Sequence, residues 1–271
     1  MQIKSSAKLS AFEGRFLSWV QMTGTVCADN KQIGSALRLA PIQSSDLLSR
    51  MHRRGLIVQL RRGLYLLPQK LPPGGVWQPS VDLAIWFFLK DKKAAWQETG
   101  PSAFNYHGLS EQVANQPVVY NDKFSGKRQF GRLSVVFVKV PAERLGGIVE
   151  HDLPSDPKVK RRMGSLARII LDAVYDYSRF GTLPKAYRWI EQRKEDSRFI
   201  KELVNLSLRY GNVATNRRIG WLLERIGVAP SLYQALRKSL KPSTSFIPAD
   251  PTAPKRGKTN MRWNIVENLN S

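Results

Sequence analysis

The chain has 271 residues, with 43 Lys+Arg against 21 Asp+Glu for a formal charge of +22, 42% hydrophobic residues and one cysteine. At roughly 100–200 residues per domain the length favours two domains. The hydrophobic content excludes a wholly disordered chain, and the lone Cys27 excludes a disulfide scaffold. The longest apolar stretch, 83–89 (LAIWFFL), falls far short of the roughly 20 residues of a membrane-spanning helix. The N-terminus offers no apolar run for a signal peptide. A soluble, cytoplasmic protein with no membrane partner is expected.

In chain order, residues 5–22 read as an amphipathic helix, with Leu9, Phe12, Phe16, Leu17 and Val20 at three- and four-residue spacing. Residues 29–39 read as a short helix with Ile33, Ala36 and Leu37 inward, broken at Leu39-Ala40-Pro41. A further helix over 42–54 carries the stripe Leu47, Leu48 and Met51, and Gly55 takes the left-handed position past its end. Two apolar runs, 56–60 and 64–67, flank Arg61-Arg62-Gly63 and predict a β-hairpin. The proline- and glycine-rich stretch that follows marks a linker. The expected organisation is a first domain at 1–70, a linker at 71–80 and a second domain at 81–271.

In the second domain, helices are expected at 81–90 and 101–107, the latter opened by Pro101 and closed by Gly108. Strands are expected at 116–120 and 133–140, the second (LSVVFVKV) covered on both faces. Between them lies NDKFSGKRQFG, read as a loop with three basic side chains. From about 158 the pattern turns helical. Ser165 is the expected N-cap of a helix with Leu166, Ile169, Ile170 and Val174 on one face. Helices over 184–193, 196–210, 216–226 and 230–240 follow, then a proline-rich loop over 241–258 and a closing strand at 261–266. The fold class is therefore α+β: an N-terminal winged helix-turn-helix, then a mixed α/β domain with a small sheet and several covering helices.

The charge is uneven. Residues 1–70 hold 11 basic and 3 acidic side chains, 71–150 hold 9 and 7, and 151–271 hold 23 and 11. A chain basic at both ends suits a polyanion. In a helix-turn-helix the helix after the turn enters the major groove. If Leu47, Leu48 and Met51 face the core, then Gln43, Ser45, Ser49 and Arg50 face the bases. Gln pairs with adenine and Arg with guanine, whereas Ser is adaptable. Lys31, Arg53, Arg54, Arg61 and Arg62 are expected to hold phosphates, whereas Asp46 is awkward on a DNA face unless it pairs with Arg50 four residues on.

No catalytic residue, cofactor or metal is expected. His52, His107, His151 and Cys27 are not clustered as zinc ligands. No G-x-S-x-G, P-loop or G-x-G-x-x-G occurs. A nuclease guided by the winged helix is the competing reading, but it wants converging carboxylates near a lysine. The nearest fragments are Asp122-Lys123 and 191–195 (EQRKE).

Four segments carry a family resemblance: RRGLIVQLRRGLYLLP (53–68), SAFNYHGLSEQ (102–112), LARIILDAVYDYSRFGTLPKAYRWI (166–190) and LRYGNVATNRRIGWLLE (208–224). Together they make the chain resemble the AbiEi family, the antitoxins and transcriptional regulators of AbiE type IV toxin–antitoxin systems in phage defence. The resemblance implies a winged helix on double-stranded DNA, at inverted repeats in the system's own promoter, with negative autoregulation. It also implies a C-terminal domain acting as antitoxin against a nucleotidyltransferase-like toxin. Arg217, Arg218 and Lys258, in or beside these motifs, are the expected antitoxin face. An orphan DNA-binding regulator without a toxin is the variant of this reading. The turn and third helix (LAPIQSSDLLSRMHRRG) are less arginine-rich than the family pattern.

Overall fold

Short-range capping starts the first three helices. Ser10 and Glu13 form a reciprocal capping box at α1 (Ala11–Thr23), and Asp29 and Gln32 form another at α2 (Asn30–Leu37). Pro41 opens α3 (Pro41–Arg53), where its missing N–H costs no helical bond. A computed structural model of the protein describes residues 9–73, 75–112, 114, 116–153 and 156–269, without the side chains of 156–158. The first expected helix thus begins at Ala11 rather than residue 5, and residues 5–8 lie outside the described residues.

The chain separates into two compact units. One comprises Met1–Ala94, Lys127–Val135 and Asp152–Arg161, and the other Ala95–Gly126, Val136–His151 and Arg162–Ser271. In the first unit, β1 (Cys27–Asp29) precedes α2, and β2 (Val58–Arg61) and β3 (Leu64–Leu66) follow α3. These strands form an antiparallel sheet in the order β1-β3-β2, with Cys27 opposite Leu66 and Val58 opposite Leu66 on the other side. Phe16, Val20, Ile33, Leu47, Leu48, Met51 and Ile57 are the fully buried centre of its core. Strand β1 was not expected, because three residues are too few to show an alternation. Ala36, expected inward, is exposed, as are Phe12 and Leu9. Gly34 takes the inward place beside Ile33, 3.4 Å from Ser44 Oγ at its would-be Cβ, so α2 and α3 approach closely there. Helix α4 (Val81–Asp91) closes this part of the chain, capped by Ser80.

Residues 96–164 form a six-stranded sheet in the order β6-β7-β5-β4-β9-β8. Its strands are β4 (Trp96–Thr99), β5 (Val118–Asn121), β6 (Gly126–Phe130), β7 (Leu133–Lys139), β8 (Ile148–Leu153) and β9 (Asp156–Gly164), with α5 (Pro101–Tyr106) after β4. Strands β4 and β5 are antiparallel, whereas β5 pairs β7 and β4 pairs β9 in parallel. Strand β4 escapes sequence reading because its buried residues include Gln97, Glu98 and Thr99. The expected loop NDKFSGKRQFG contains β6, and the residues before 165 form β8 and β9 rather than helix.

The helices of the second unit are α6 (Leu166–Tyr175), α7 (Tyr177–Phe180), α8 (Lys185–Glu191), α9 (Ser197–Tyr210), α10 (Val213–Arg225) and α11 (Pro230–Ser239). Ser165 caps α6 through its hydroxyl, as its position suggests. A small sheet of β10 (Ile247–Pro248), β11 (Lys258–Asn260) and β12 (Ile265–Glu267) lies in the order β10-β12-β11. The closing strand is shorter than expected, since 261–264 are turn residues with Asn264 at φ 52°. Eleven α-helices and three sheets among the described residues make the fold α+β. None of the described helices is long and apolar enough to cross a membrane.

Candidate nucleic-acid interface

Helix α3 is amphipathic by construction. Ser44, Leu47, Leu48 and Met51 are buried, and they share one face because they recur at three and four residues. Gln43, Asp46, Ser49, Arg50 and Arg53 are exposed, and Ser45 is half-buried. The four expected base-reading residues, Gln43, Ser45, Ser49 and Arg50, thus all lie off the buried stripe. Gln43 also caps the helix start, because the Ala40 N–H donates to its Oε1 at 3.0 Å. Its amide nitrogen stays available as a donor. Asp46 and Arg50 form no ion pair with each other, and both side chains are exposed.

The expected phosphate-holding cations fall into two classes. Lys31, Arg53 and Arg62 are exposed and have no carboxylate beside them among the described residues. Arg54 is different: its Nη1 lies 2.6 Å from both carboxylate oxygens of Glu13, a residue only 3% exposed. Arg61 is also committed, donating to Asp91 from Nε at 2.7 Å and from Nη2 at 2.5 Å, a two-pronged pair. These two arginines are thus paired with carboxylates of α1 and α4, and an arginine already neutralised by a carboxylate adds little net attraction for phosphate. Burial raises the Glu13 carboxyl pKa, but the Ser10 backbone hydrogen bond and Arg54 outweigh it and hold the pKa below the ordinary glutamate range. The Arg61 hydrogen bonds do the same for Asp91.

Two hollows flank the face. One of about 540 Å³ lies between the start of α1 and the end of α3, lined by Ser10, Glu13, Arg50, Arg53 and Arg54. The other, of about 410 Å³, is lined by Lys31 at the start of α2, Arg38 just past its end, and Pro41 and Ser44 of α3. Arg38 is a cation that sequence reading passed over. It closes α2 in the left-handed conformation at φ 52° and is exposed. Its signal was a polar residue just before the Leu39-Ala40-Pro41 break.

Of the expected antitoxin face, only Lys258 is exposed. Arg217 and Arg218 are only 6% and 5% exposed. Arg217 Nη1 donates to the Ser245 carbonyl at 3.1 Å. Arg218 donates to the Pro248 carbonyl from Nε and Nη2, and its guanidinium lies 5.0 Å from the Tyr177 ring centroid. Both tie α10 to residues 245–248 through these carbonyls. Lys258 alone is exposed, at the start of β11.

Sequence reading also missed a buried polar network in the second unit. Arg168 is fully buried and donates to Asp172 at 3.2 Å, to the Gly146 carbonyl at 3.1 Å and to the Arg144 carbonyl at 2.7 Å. The Thr99 hydroxyl donates to the other Asp172 oxygen at 3.0 Å. An Arg and an Asp four residues apart in the otherwise apolar LARIILDAVY is the pattern that betrays it. Each histidine is engaged locally: His52 with the Ile57 carbonyl, His107 with the Gly164 carbonyl and His151 with the Tyr106 hydroxyl. Among the described residues no three His, Cys, Asp or Glu side chains gather as metal ligands would.

No protein-family model and no curated protein matches the sequence. The crystal structure of the RV2827C protein from Mycobacterium tuberculosis is similar to the chain, with a TM-score of 0.62 over 97% of this chain and 93% of that one, at 16% sequence identity. At that identity the likeness establishes a shared fold and nothing more.

Proposed function

We propose that the protein is a DNA-binding transcriptional autorepressor whose first unit is a winged helix-turn-helix, and that it serves as the antitoxin of an AbiE-like system. The observation that carries the DNA reading is the outward face of α3. A helix anchored by Leu47, Leu48 and Met51 holds Gln43, Ser49, Arg50 and Arg53 together in solvent. The order helix, strand, helix, helix and two-stranded wing, with the third strand completing the sheet, fits a reader of the major groove. Arg50 reaches guanine O6 and N7, and Gln43 reaches adenine. Arg53, Lys31 and Arg62 fix the register on phosphates, which carry no sequence information themselves. Two copies on an inverted repeat would place their helices about 34–36 Å apart, one turn of duplex.

The antitoxin part rests on the four family-like segments, with Lys258 as the remaining exposed cation of its expected face. A titration with the DNA upstream of the protein's own gene, against a shuffled duplex at two salt concentrations, tests the first part. A protein that holds about 6–10 phosphates loses about 10³–10⁵ in affinity between 50 and 200 mM salt, and the upstream duplex is expected to win. Equal binding of both duplexes removes the repressor. Co-expression with the nucleotidyltransferase-like toxin tests the second part. Wild type and Arg50→Ala are both expected to rescue growth, and absence of rescue by wild type removes the antitoxin.

A further inference from the structure

Strand β6 and the turn that leads into β7 are not among the elements that build the α3 face. Residues 127–135 nevertheless belong to the first unit. Lys127, Arg128 and Gln129 are all exposed, as is Arg132 in the turn. None of the three cations has a carboxylate partner among the described residues. Strand β6 is the outermost of its sheet. Charge on an edge strand hinders pairing with another chain, but either sign serves that purpose. A run of one sign, with no acid beside it, adds an attraction for polyanions.

The turn is firmly mounted. The Gln78 side chain clasps it from both sides, its Nε2 donating to the Phe130 carbonyl at 3.2 Å and its Oε1 accepting from the Arg132 N–H at 2.8 Å. Gly131, at φ +59°, allows the approach: a Cβ there would sit 2.7 Å from Gln78 Oε1 and 3.2 Å from Val58 of β2. Phe130 packs against Phe88 of α4 with ring centroids 5.1 Å apart. Val58 lies four residues before Arg62, a span of at most about 13 Å along the chain. That is within the span of one duplex face. The wing itself is short of free charge, because Arg61 is bound to Asp91.

We propose that the β6–β7 hairpin is a second DNA contact, in which Lys127, Arg128 and Arg132 hold backbone phosphates beside those gripped by Arg53 and Arg62. The proposal rests on the DNA-binding reading of α3 and extends its footprint. The hairpin sets affinity and salt dependence, and α3 sets sequence choice.

The test uses the full chain with Lys127, Arg128 and Arg132 all changed to Ala, titrated with upstream and shuffled duplexes over 50–200 mM salt. Loss of three phosphate contacts flattens the slope of log K against log salt by about 2.7, so the affinity lost across that range shrinks about 40-fold. The ratio of upstream to shuffled affinity stays that of wild type. Lys127→Ala with Arg128→Ala, which leaves the turn untouched, should flatten the slope by about 1.8. It serves if circular dichroism shows the triple variant misfolded. A wild-type slope in a folded variant overturns the hairpin and leaves the α3 reading intact. A wild-type protein without preference for upstream DNA overturns the repressor reading, while the slopes on either duplex still decide the hairpin. Absence of salt-dependent DNA binding by wild type overturns both.

Discussion

Replacing Glu13 with Ala removes one carboxylate that does three things. It accepts from the Ser10 N–H at 2.8 Å, it ends in the hollow beside α3, and it receives Arg54 at 2.6 Å on both oxygens. Loss of the capping interaction costs about 1 kcal/mol. A hydrogen bond to a charged group contributes about 1.5–3 kcal/mol. The Arg54 side chain is 31% exposed, so water recovers part of its hydration and the low end of that range applies. The expected destabilisation is about 2–3 kcal/mol, read as a lowered urea midpoint with an unchanged slope. Glu13→Gln keeps an acceptor for Ser10 and should fall between wild type and Glu13→Ala.

The same carboxylate makes a pH prediction. Its folded pKa is held below the ordinary value, so its contribution is complete above the unfolded pKa and is lost as pH falls through the folded one. The stability gap between wild type and Glu13→Ala should thus close in the acid range below about pH 4. A gap under about 0.5 kcal/mol at neutral pH, the size of an ordinary surface substitution, refutes the reasoning. So does a gap that stays constant down to about pH 2. Arg54→Ala should destabilise yet leave the salt slope of DNA binding unchanged, since its charge is already spent on Glu13.

Arg62→Ala is expected to flatten the DNA salt slope by about 0.9 and Arg61→Ala by much less; titration of the two side by side checks this, and equal effects defeat the assignment of Arg61 to Asp91. Gly220→Ala drives a Cβ against the ring carbons of Trp263, a fully buried residue, and should lower stability by about 1–3 kcal/mol in thermal melts. Burial, with Asp91 nearby, pushes the Cys27 thiol up to about 12, so iodoacetamide at about pH 8 should label it about a thousandfold more slowly than a free thiol until denaturant is added. Arg218→Ala strips two hydrogen bonds from the half-buried Pro248 carbonyl and should destabilise by about 1–3 kcal/mol, whereas Lys258→Ala should leave the melting temperature unchanged.

Much of this protein was legible locally. The stop of α3 beside Arg54, the left-handed Gly55 at φ 72°, the stripe Leu47, Leu48 and Met51, and the Ser165 cap all follow from interactions within about four residues. Such interactions are written in the order of the residues, so periodicity and capping chemistry reveal them. The exposed face of α3 follows from the same stripe. The strands fared worse: β1, β4 and β8–β9 are short, polar or charged, and each exists because of a distant neighbour. Glu98, for example, meets Met163 across a parallel pair.

Which cations remain available was decided only by the tertiary fold. Arg54 and Glu13 are 41 residues apart in sequence, Arg61 and Asp91 are 30 apart, and Arg218 finds its carbonyl 30 residues on. Lys127, Arg128 and Arg132 find no such partner among the described residues. Composition alone determines that this chain is strongly basic. A guanidinium is free or spent only according to what the fold sets beside it, because Coulomb attraction acts through space over a few ångströms and takes no account of separation along the chain.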